Sequence, residues 1–445
     1  MIHNPFFHRG PIRELEHFHD RQQETEQIAN LVRVSQSVSI IGPRRIGKTS
    51  LIYHLAEPHV RKAHDLLPPT QVIVLADAQG MGQASPAEVY AVFIEGLRAT
   101  LSESAIDLPQ EASLQRADHR TLDRLLKSLS QRGTKVAFVV DEFEGLAANR
   151  NLDPVFFSGL RGLASRYSVS FVLASQSPLI SLVYADHSVL SSPFFNIFAT
   201  ISLGLLDEAS AREMVSASLS RAGISLPEQA ADAIMDLAGP HPFFLQVAAY
   251  HACELAQARA GWDEHTTTLL SDVFYEEAHP HYQYSWHNLD ETGRYVLANL
   301  TVKQWDPAVA AALRRLQQQC LIRASDTGYR YLSSAMRRFV RGQTVAGLLQ
   351  AEPFVVDLRA HTVTAGDEPL KLTKTQFEIL AYLAQRPGQA VTTRELEENI
   401  WHEEYVEDPE RLKAAIKHLR RALGPWAGHI VNERGVGYAL RVRRQ

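Results

Sequence analysis

The segment that most constrains the fold of this chain is a glycine-bounded loop of sequence GPRRIGKT at residues 42–49. It follows an apolar run at residues 38–41 and precedes a predicted helix at residues 50–56. Glycines let successive backbone N–H groups turn towards a polyphosphate at a helix N-terminus, where the helix dipole favours anions. Lys48 is expected to reach the terminal phosphates and Thr49 to hold Mg²⁺. The predicted nucleotide contacts are Gly42, Pro43, Arg44, Arg45, Ile46, Gly47, Lys48, Thr49 and Ser50.

Five short runs of apolar or β-branched residues predict buried parallel strands. They lie at residues 38–41, 72–76, 136–140, 169–174 and 199–203. Helical patterns separate several of these runs, and that alternation is typical of an α/β protein. Together with the loop, it predicts the α/β fold of a P-loop NTPase with a parallel sheet over residues 1–205.

Two carboxylates follow the third run, at the edge where ligands bind in open α/β sheets. Asp141 is predicted to hold Mg²⁺ and Glu142 to polarise an attacking water, so that Glu142 and Lys48 are the candidate catalytic residues. Ser175 and Gln176 end the fourth run, where a polar side chain can sense a terminal phosphate. However, serine and glutamine at a strand end are more often simple turn residues than phosphate sensors.

Amphipathic helical patterns replace strands after residue 206 and predict a helical lid over residues 206–280. Asp207 is expected to cap the first helix, and Pro227 to begin the second. A Gly-Pro-His-Pro break at residues 239–242 precedes the third helix. Pro242 in this break is a candidate contact for an adenine ring, although turn punctuation explains the proline nearly as well.

Several motifs of the first 345 residues resemble STAND/AAA+-type ATPases related to the archaeal and bacterial MNS ATPases. They are Asn4-Pro-Phe, the stretch 18–24, the loop 42–51, the DEFE run 141–144, and the stretches 191–198 and 239–246. The resemblance implies a nucleotide-gated switch with a slow cycle, and it places Asp20 and Arg21 near the base. Asp20 stands where that family usually has glycine. Residues 167–211 hold no Lys or Arg, which disfavours an arginine finger in a ring.

Residues 281–347 are predicted to form two helices and a hairpin that turns at residues 326–328. This unit resembles the winged-helix domain that follows the lid in STAND proteins, where it packs on the nucleotide module. The alternative is that Arg337, Arg338 and Arg341 form a DNA-binding face.

The last hundred residues predict short strands, three helices and a final hairpin. The helices are expected at residues 372–383, 393–401 and 408–423, and the hairpin at residues 429–442 with its turn at residues 434–438. Four leucine and isoleucine side chains share one face of the third helix, namely Leu412, Ile416, Leu419 and Leu423. The other face is basic, with Arg411, Lys413, Lys417, His418, Arg420 and Arg421.

Residues 352–445 are similar to the OmpR/PhoB-type winged-helix DNA-binding domain, through the patterns LTxxxF, LRRAL and RGVGY. The resemblance implies that double-stranded DNA is the partner, that the third helix enters the major groove and that Arg434 reaches the minor groove. Glu410 stands where this family often has a basic residue. The implied DNA contacts are Arg411, Lys413, Ala414, Lys417, His418, Arg421, Arg434, Thr373 and Thr393.

Charge is polarised within this C-terminal segment, whereas the whole chain has a net charge of −5. Residues 411–445 hold nine Lys or Arg and one acid, Glu433, and residues 395–410 hold eight acids and no Lys or Arg. If about five of these cations meet phosphates, log affinity should fall with log salt at a slope of about −4 to −5.

We therefore expect a cytoplasmic, ATP-dependent regulator of transcription with slow hydrolysis and no membrane span. Cys253 and Cys320 are expected as buried thiols, and no Cys/His spacing indicates a metal site. Two alternatives remain, a DNA-remodelling or loader ATPase and a defence-type STAND sensor with a partner effector. Self-association in the ATP state, RNA polymerase and an unidentified signal partner are further expected interactions.

Overall fold

The computed structural model describes residues 4–6, 9–107, 116–183, 193–259, 261–300, 306–326, 328–366, 368–401 and 409–442. They form two compact units, one of residues 1–235 with 239–270 and one of residues 236–238 with 271–445. Ser191, Ser192, Asp367 and Asp408, which belong to the predicted motifs, lie outside the described residues.

The first unit contains a five-stranded parallel sheet in the order β2-β3-β4-β1-β5. Its strands are β1 Ser37–Ile41, β2 Gln71–Asp77, β3 Lys135–Asp141, β4 Val169–Ser175 and β5 Phe198–Ser202. All five predicted strands are confirmed. The expected burial of β5 is wrong, because this strand lies at the sheet edge and only Ile201 is fully buried. The order places β1 between β4 and β5, so the loop after β1 lies at an interior position of the carboxyl edge.

Helices cover the sheet and bury a phenylalanine-rich core, in which the rings of Phe138 and Phe171 stack at 5.7 Å. The helices are α1 Gln22–Arg33, α2 Lys48–Ala56, α3 Pro58–Ala63, α4 Pro86–Glu103, α5 His119–Gln131, α6 Glu144–Ala147, α7 Pro154–Arg166 and α8 Leu179–Val183. Aspartate side chains cap several helices, since Asp118 accepts from an N–H of α5 and Asp153 from one of α7.

The predicted lid consists of α9 Glu208–Arg221, α10 Glu228–Ala238, α11 Pro242–Ala258 and the start of α12 Glu264–His287. As predicted, the side chain of Asp207 caps α9, because it accepts from Ser210 N at 2.8 Å. The expected boundary at residue 280 falls inside α12, where Pro280 is accommodated within the helix.

The second unit begins its helix–helix–hairpin segment with α13 Glu291–Ala298 and α14 Pro307–Gln318. Strands β6 Ile322–Ser325 and β7 Gly328–Tyr331 then pair antiparallel, as predicted. The sequence interpretation missed a third helix, α15 Ser334–Arg341, capped by the Ser333 hydroxyl.

A four-stranded antiparallel sheet follows, formed by β8 Leu348–Ala351, β9 Phe354–Asp357, β10 Thr362–Ala365 and β11 Glu368–Leu370. Because β8 pairs with β9, this sheet starts before residue 352, the predicted first residue of the C-terminal domain. Next come α16 Lys374–Ala384, β12 Ala390–Thr392, α17 Thr393–Trp401, α18 Pro409–Leu423, β13 Ile430–Glu433 and β14 Gly437–Leu440. The three helices and the hairpin confirm the predicted winged helix.

A buried carboxylate joins α13 to β9. Asp357 is 1% exposed and accepts hydrogen bonds from Tyr295 Oη, from Asn299 Nδ2 at 2.9 Å and from the backbone N–H groups of Arg359 and Ala360. Burial, together with this carboxylate, raises the pKa of Tyr295 and keeps its hydroxyl a donor. Four donors on one carboxylate offset the cost of burying its charge.

We expect Asp357→Ala to destabilise the chain by about 3 kcal/mol, because buried donors lose their acceptor. Urea denaturation followed by circular dichroism measures the change. Asp326→Ala in the exposed turn after β6 is the control and should leave the transition unchanged. A transition of the Asp357→Ala chain that overlies the wild-type curve would show that the network contributes nothing to stability.

Candidate functional site

The loop between β1 and α2 depends on two glycines for different reasons. A Cβ on Gly42 would lie 2.9 Å from Leu203 O, so the chains approach too closely for a side chain. Gly47 has φ +105°, a conformation that glycine adopts readily but that is strained in residues with a side chain. Gly42 N donates to Ser175 O at 3.1 Å, which ties the loop to the end of β4. The loop is therefore a fixed turn ahead of the α2 N-terminus, as phosphate binding requires.

Lys48 lies within this loop, with an exposed fraction of only 5%. Its Nζ donates to Gly42 O at 2.7 Å and to Pro43 O at 3.0 Å. Burial lowers the pKa of Lys48, and the carboxylates of Glu142, Glu144 and Asp141 act in the opposite direction. These contacts hold the ammonium at the loop through the carbonyl groups of Gly42 and Pro43.

Thr49 and Asp141 meet at the carboxyl edge of the sheet. Thr49 Oγ1 donates to Asp141 Oδ2 at 2.6 Å, and Asp141 Oδ1 accepts from Glu142 N at 2.9 Å. Hydroxyl and carboxylate oxygens are the ligands that Mg²⁺ takes beside substrate phosphates. Within the described residues no group of three or more His, Cys, Asp or Glu could hold a metal by itself. The pair thus fits a metal that shares its coordination with a nucleotide.

Glu142 adopts φ +46°, a conformation that costs free energy in any residue other than glycine. Such strain is common where a side chain must take a functional position. Burial and the neighbouring Glu144 carboxylate raise the pKa of Glu142, whereas Lys48 lowers it. A carboxylate of raised basicity next to the phosphate loop is suited to accept a proton from water.

A cavity of about 340 Å³ opens beside the loop. Eight predicted residues line it: Arg44, Arg45, Gly47, Lys48, Thr49, Ser50, Glu142 and Pro242. Eight more were missed by the sequence interpretation: Arg9, Gly10, Pro11, Ile12, Gln79, Met214, Phe243 and Gln246. Arg9 to Ile12 are brought there because Ile12 N donates to Ser50 Oγ at 3.0 Å, a long-range contact that no spacing in the sequence signals.

The lid helix α11 closes one side of this cavity. Pro242, Phe243 and Gln246 come from its first turns, and the guanidinium of Arg45 lies 4.1 Å from the centroid of the Phe243 ring. Phe243 directly follows the predicted Pro242. Of the lining residues that the sequence interpretation missed, it is therefore the one that the sequence could have indicated. The cavity therefore has one side formed by the loop and the start of α2 and a second, more apolar side that includes Phe243.

Five predicted nucleotide contacts are not among the residues that line this cavity, namely Gly42, Pro43, Ile46, Ser175 and Gln176. Ser175 is fully buried, and its hydroxyl donates to Ser177 O at 2.8 Å. Gln176 donates its backbone N–H to the Glu144 carboxylate, and Ile46 is 1% exposed. The Ser175 hydroxyl is thus engaged in a local hydrogen bond, and neither Ser175 nor Gln176 lines the cavity, so their role as phosphate sensors stays a prediction.

Arg21 also does not line the cavity. Its guanidinium donates to Gly204 O at 2.6 Å and to Glu24 Oε1 at 3.0 Å, with 6% of the residue exposed. Asp20 before it has φ +64°. This left-handed conformation gives a physical reason for a glycine at the equivalent position of the resembling family.

Helix α18 separates its two faces as predicted. Leu412, Ile416, Leu419 and Leu423 are buried, whereas the predicted contacts Arg411, Lys413, Ala414, Lys417, His418 and Arg421 are exposed. Arg420 is a correction to the basic face, because it is half-buried and its Nη2 donates to Ile430 O at 2.7 Å. Arg420 thus connects α18 to the hairpin.

The hairpin β13–β14 presents Arg434 at its exposed turn. Gly437 is required there, since a Cβ would lie 2.0 Å from Val391 O on β12. At the helix starts, Thr373 N donates to Gln376 Oε1 at 2.9 Å. The capping hydroxyl of α17 belongs to Thr392, which accepts from Glu395 N at 3.1 Å, so Thr393 is the first helical residue and not the cap.

Two family models match the chain. The model of Novel STAND NTPase 2 matches residues 23–304, which is more than half of the chain. The model of the transcriptional regulatory protein C-terminal domain matches residues 367–440. No helix in the described part of the chain is both long and apolar enough to span a membrane.

Curated relatives match a short part of the chain. The sensory transduction protein RegX3 of Mycolicibacterium smegmatis is 33% identical over 97 residues, which cover 21% of this chain and 42% of the relative. The KDP operon transcriptional regulatory protein KdpE of Escherichia coli is 31% identical over 110 residues, which cover 24% of this chain and 49% of the relative. The chain thus spans less than half the length of these relatives.

Among solved structures, the Walker-type ATPase of Pyrococcus abyssi resembles the larger part of the chain. The TM-score is 0.54 at 15% identity, and the match covers 76% of this chain and 99% of that chain. At this identity the likeness shows the fold alone, and it agrees with the parallel sheet and its loop.

Proposed function

This chain belongs to the Novel STAND NTPase 2 family, and on that premise we propose that ATP binding and slow hydrolysis gate its C-terminal DNA-binding domain. The coarser function follows from the two family matches: a nucleotide hydrolase is linked to an OmpR-type winged-helix domain that binds double-stranded DNA and regulates transcription. The gate and the choice of ATP are the proposal.

The observation that carries the proposal is the convergence of four groups around one cavity. Lys48, Thr49 and Glu142 line it, and Asp141 bonds to Thr49 at 2.6 Å. Lys48 and the loop N–H groups would bind the phosphates, and Thr49 with Asp141 would hold Mg²⁺, which supplies charge neutralisation when bound. Glu142 would accept the proton of the attacking water, and Pro242 and Phe243 would face the base.

Free energy bounds what a gate of this kind requires. Changing a two-state population from 1:99 to 99:1 needs about 5.5 kcal/mol of differential binding. Hydrogen bonds to a charged phosphate contribute about 1.5–3 kcal/mol each, so two or three that form in only one nucleotide state are sufficient. Lys48, Arg44 and Arg45 line the cavity and are the groups that we propose for them.

DNA contacts are proposed for the exposed side chains of α18 and for Arg434. We expect Lys417→Ala to change which bases are preferred, and Arg434→Ala to weaken binding by a similar factor on all sequences. If a change also removes a phosphate contact, the slope of log affinity against log salt concentration should become less negative by about 1. Competitive binding with a randomised duplex pool measures both effects, and Lys127→Ala on the exposed side of α5 is the control. Unchanged base preference in the Lys417→Ala chain would contradict the major-groove assignment.

Self-association in the ATP state and contacts with RNA polymerase or a signal partner are part of the same proposal. A remodelling ATPase or loader predicts a different outcome, since fast turnover stimulated by DNA would accompany it. A defence-type sensor predicts activity only with a partner effector. ATP hydrolysis by the full chain, measured with and without duplex DNA, separates these functions. A slow rate that DNA leaves unchanged is the expected result, and strong stimulation by DNA would overturn the switch in favour of a motor.

A further inference from the structure

The second unit contains a cavity of about 1010 Å³ that the nucleotide and DNA sites do not use. Its walls come from α13, the hairpin β6–β7, α15 and strands β9–β11. Its lining includes Asn299 after α13, Val355 on β9, Thr364 on β10 and four arginines on β6, β7 and α15. The cavity thus spans the helix–hairpin segment and the sheet that opens the DNA-binding domain.

Four arginines give this cavity its chemistry, and they are arranged as two like-charged pairs. Arg323 and Arg330 are directly opposite each other on β6 and β7. Arg337 and Arg341 are four residues apart on α15 and share one helix face. Among the described lining residues, Asp236 and Glu368 carry the opposite charge, so the guanidinium groups along this lining outnumber the carboxylates and favour an anionic ligand.

We propose that this cavity binds an organic phosphate of about nucleotide size. The planar guanidinium group matches phosphate oxygens through two parallel hydrogen bonds, and it carries five N–H donors, so an arginine that already contacts a protein acceptor retains donors for a ligand. Tyr329 and Tyr331 offer aromatic faces for the organic part. The volume is at the upper end of the range of about 300–1,000 Å³ that small-molecule sites occupy.

The geometry favours a small molecule over DNA. Arg337 and Arg341 face the concave cavity, whereas Arg338 donates to Asp272 at 3.2 Å and lies 4.3 Å from the centroid of the Tyr275 ring. The three arginines therefore do not form the single DNA-binding face that the sequence left open. A concave site with walls on both sides admits a phosphorylated small molecule but not a duplex.

The position of the cavity gives a ligand there a route to the DNA-binding domain. Asn299 lines the cavity and donates to the buried Asp357 on β9 at 2.9 Å. Val355 and Thr364, on strands of the same sheet, also line it. A bound anion would therefore contact both parts of the junction that Asp357 holds, and it acts as an input that is independent of the nucleotide loop.

Isothermal titration calorimetry tests this site in the full chain carrying Lys48→Ala, which silences the nucleotide loop. The probes are ADP and inorganic pyrophosphate. We expect saturable binding of ADP that Arg337→Gln with Arg341→Gln weakens at least about tenfold, since two charge-assisted contacts are lost. The matched control is Arg338→Gln on the same helix, which should bind as the parent chain does. The unfolding temperature of the double variant shows whether it is folded as the parent chain is.

Three results would overturn the proposal. One is the absence of saturable ADP binding, or ADP binding that the double variant leaves unchanged. Another is binding of pyrophosphate without ADP, which would reduce the site to one for inorganic anions. The last is a loss of DNA affinity in the double variant with anion binding intact, which would place Arg337 and Arg341 on a DNA surface.

Discussion

The Lys48→Ala chain is expected to bind ATP about 10²–10⁴-fold more weakly than the wild-type chain. Lys48 is 5% exposed and donates to two loop carbonyls, so its ammonium is already positioned where phosphates would lie. Loss of two charge-assisted hydrogen bonds at about 1.5–3 kcal/mol each accounts for this factor. Calorimetric titration of the full chain with ATP and Mg²⁺ measures it.

Lys62→Ala provides the matched control, because Lys62 is an exposed lysine on α3 of the same unit. Its ATP affinity should equal that of the wild type. The Lys48→Ala chain should also bind DNA as the nucleotide-free wild type does, since the substitution does not touch α18 or the hairpin. Undiminished ATP binding in Lys48→Ala would show that the loop is not the nucleotide site.

The Glu142→Gln chain is expected to bind ATP normally and to hydrolyse it about 10²–10⁴-fold more slowly, the usual contribution of a general base. Glutamine keeps the size and polarity of the side chain but cannot accept the proton of the attacking water. The Asp141 carboxylate that receives the N–H of residue 142 is unchanged, so the Mg²⁺ ligands stay in place. Single-turnover hydrolysis separates this effect from product release.

Glu95→Gln on the exposed side of α4 is the control for loss of a carboxylate in the same unit. Its turnover should match the wild type. Equal hydrolysis by the Glu142→Gln chain would assign the base to another residue, and Glu144 is a candidate because its carboxylate raises the pKa of Glu142.

Local patterns predicted what local chemistry determines. The five strands, the loop and the cap of α9 depend on neighbouring residues, and so the bounds of the predicted strands agree with the structure within two residues. Helix α15 was missed because its cap, Ser333, lies only two residues after the end of β7. The sequence pattern there was interpreted as part of the hairpin. Strand β8 was missed because it is the edge strand of the four-stranded sheet, and its position depends on pairing with β9.

Side-chain direction was the part that the sequence could not supply. Ser175 lies at the expected strand end, yet its hydroxyl donates to Ser177 O and the residue does not line the cavity. The contact of Ile12 with Ser50 and the burial of Asp357 between α13 and β9 arise from tertiary packing alone. Pairing across such distances leaves no periodic signal in the chain.

The central claim is tested most directly by the dissociation constant of the Glu142→Gln chain from DNA, measured in ATP and again in ADP at one salt concentration. The duplex is the one most strongly protected in genome-wide footprinting of the wild-type chain. We predict constants that differ at least about tenfold, a coupling free energy of about 1.4 kcal/mol or more. Identical constants in the two nucleotides would contradict the gate and leave two functions that share a chain without communicating.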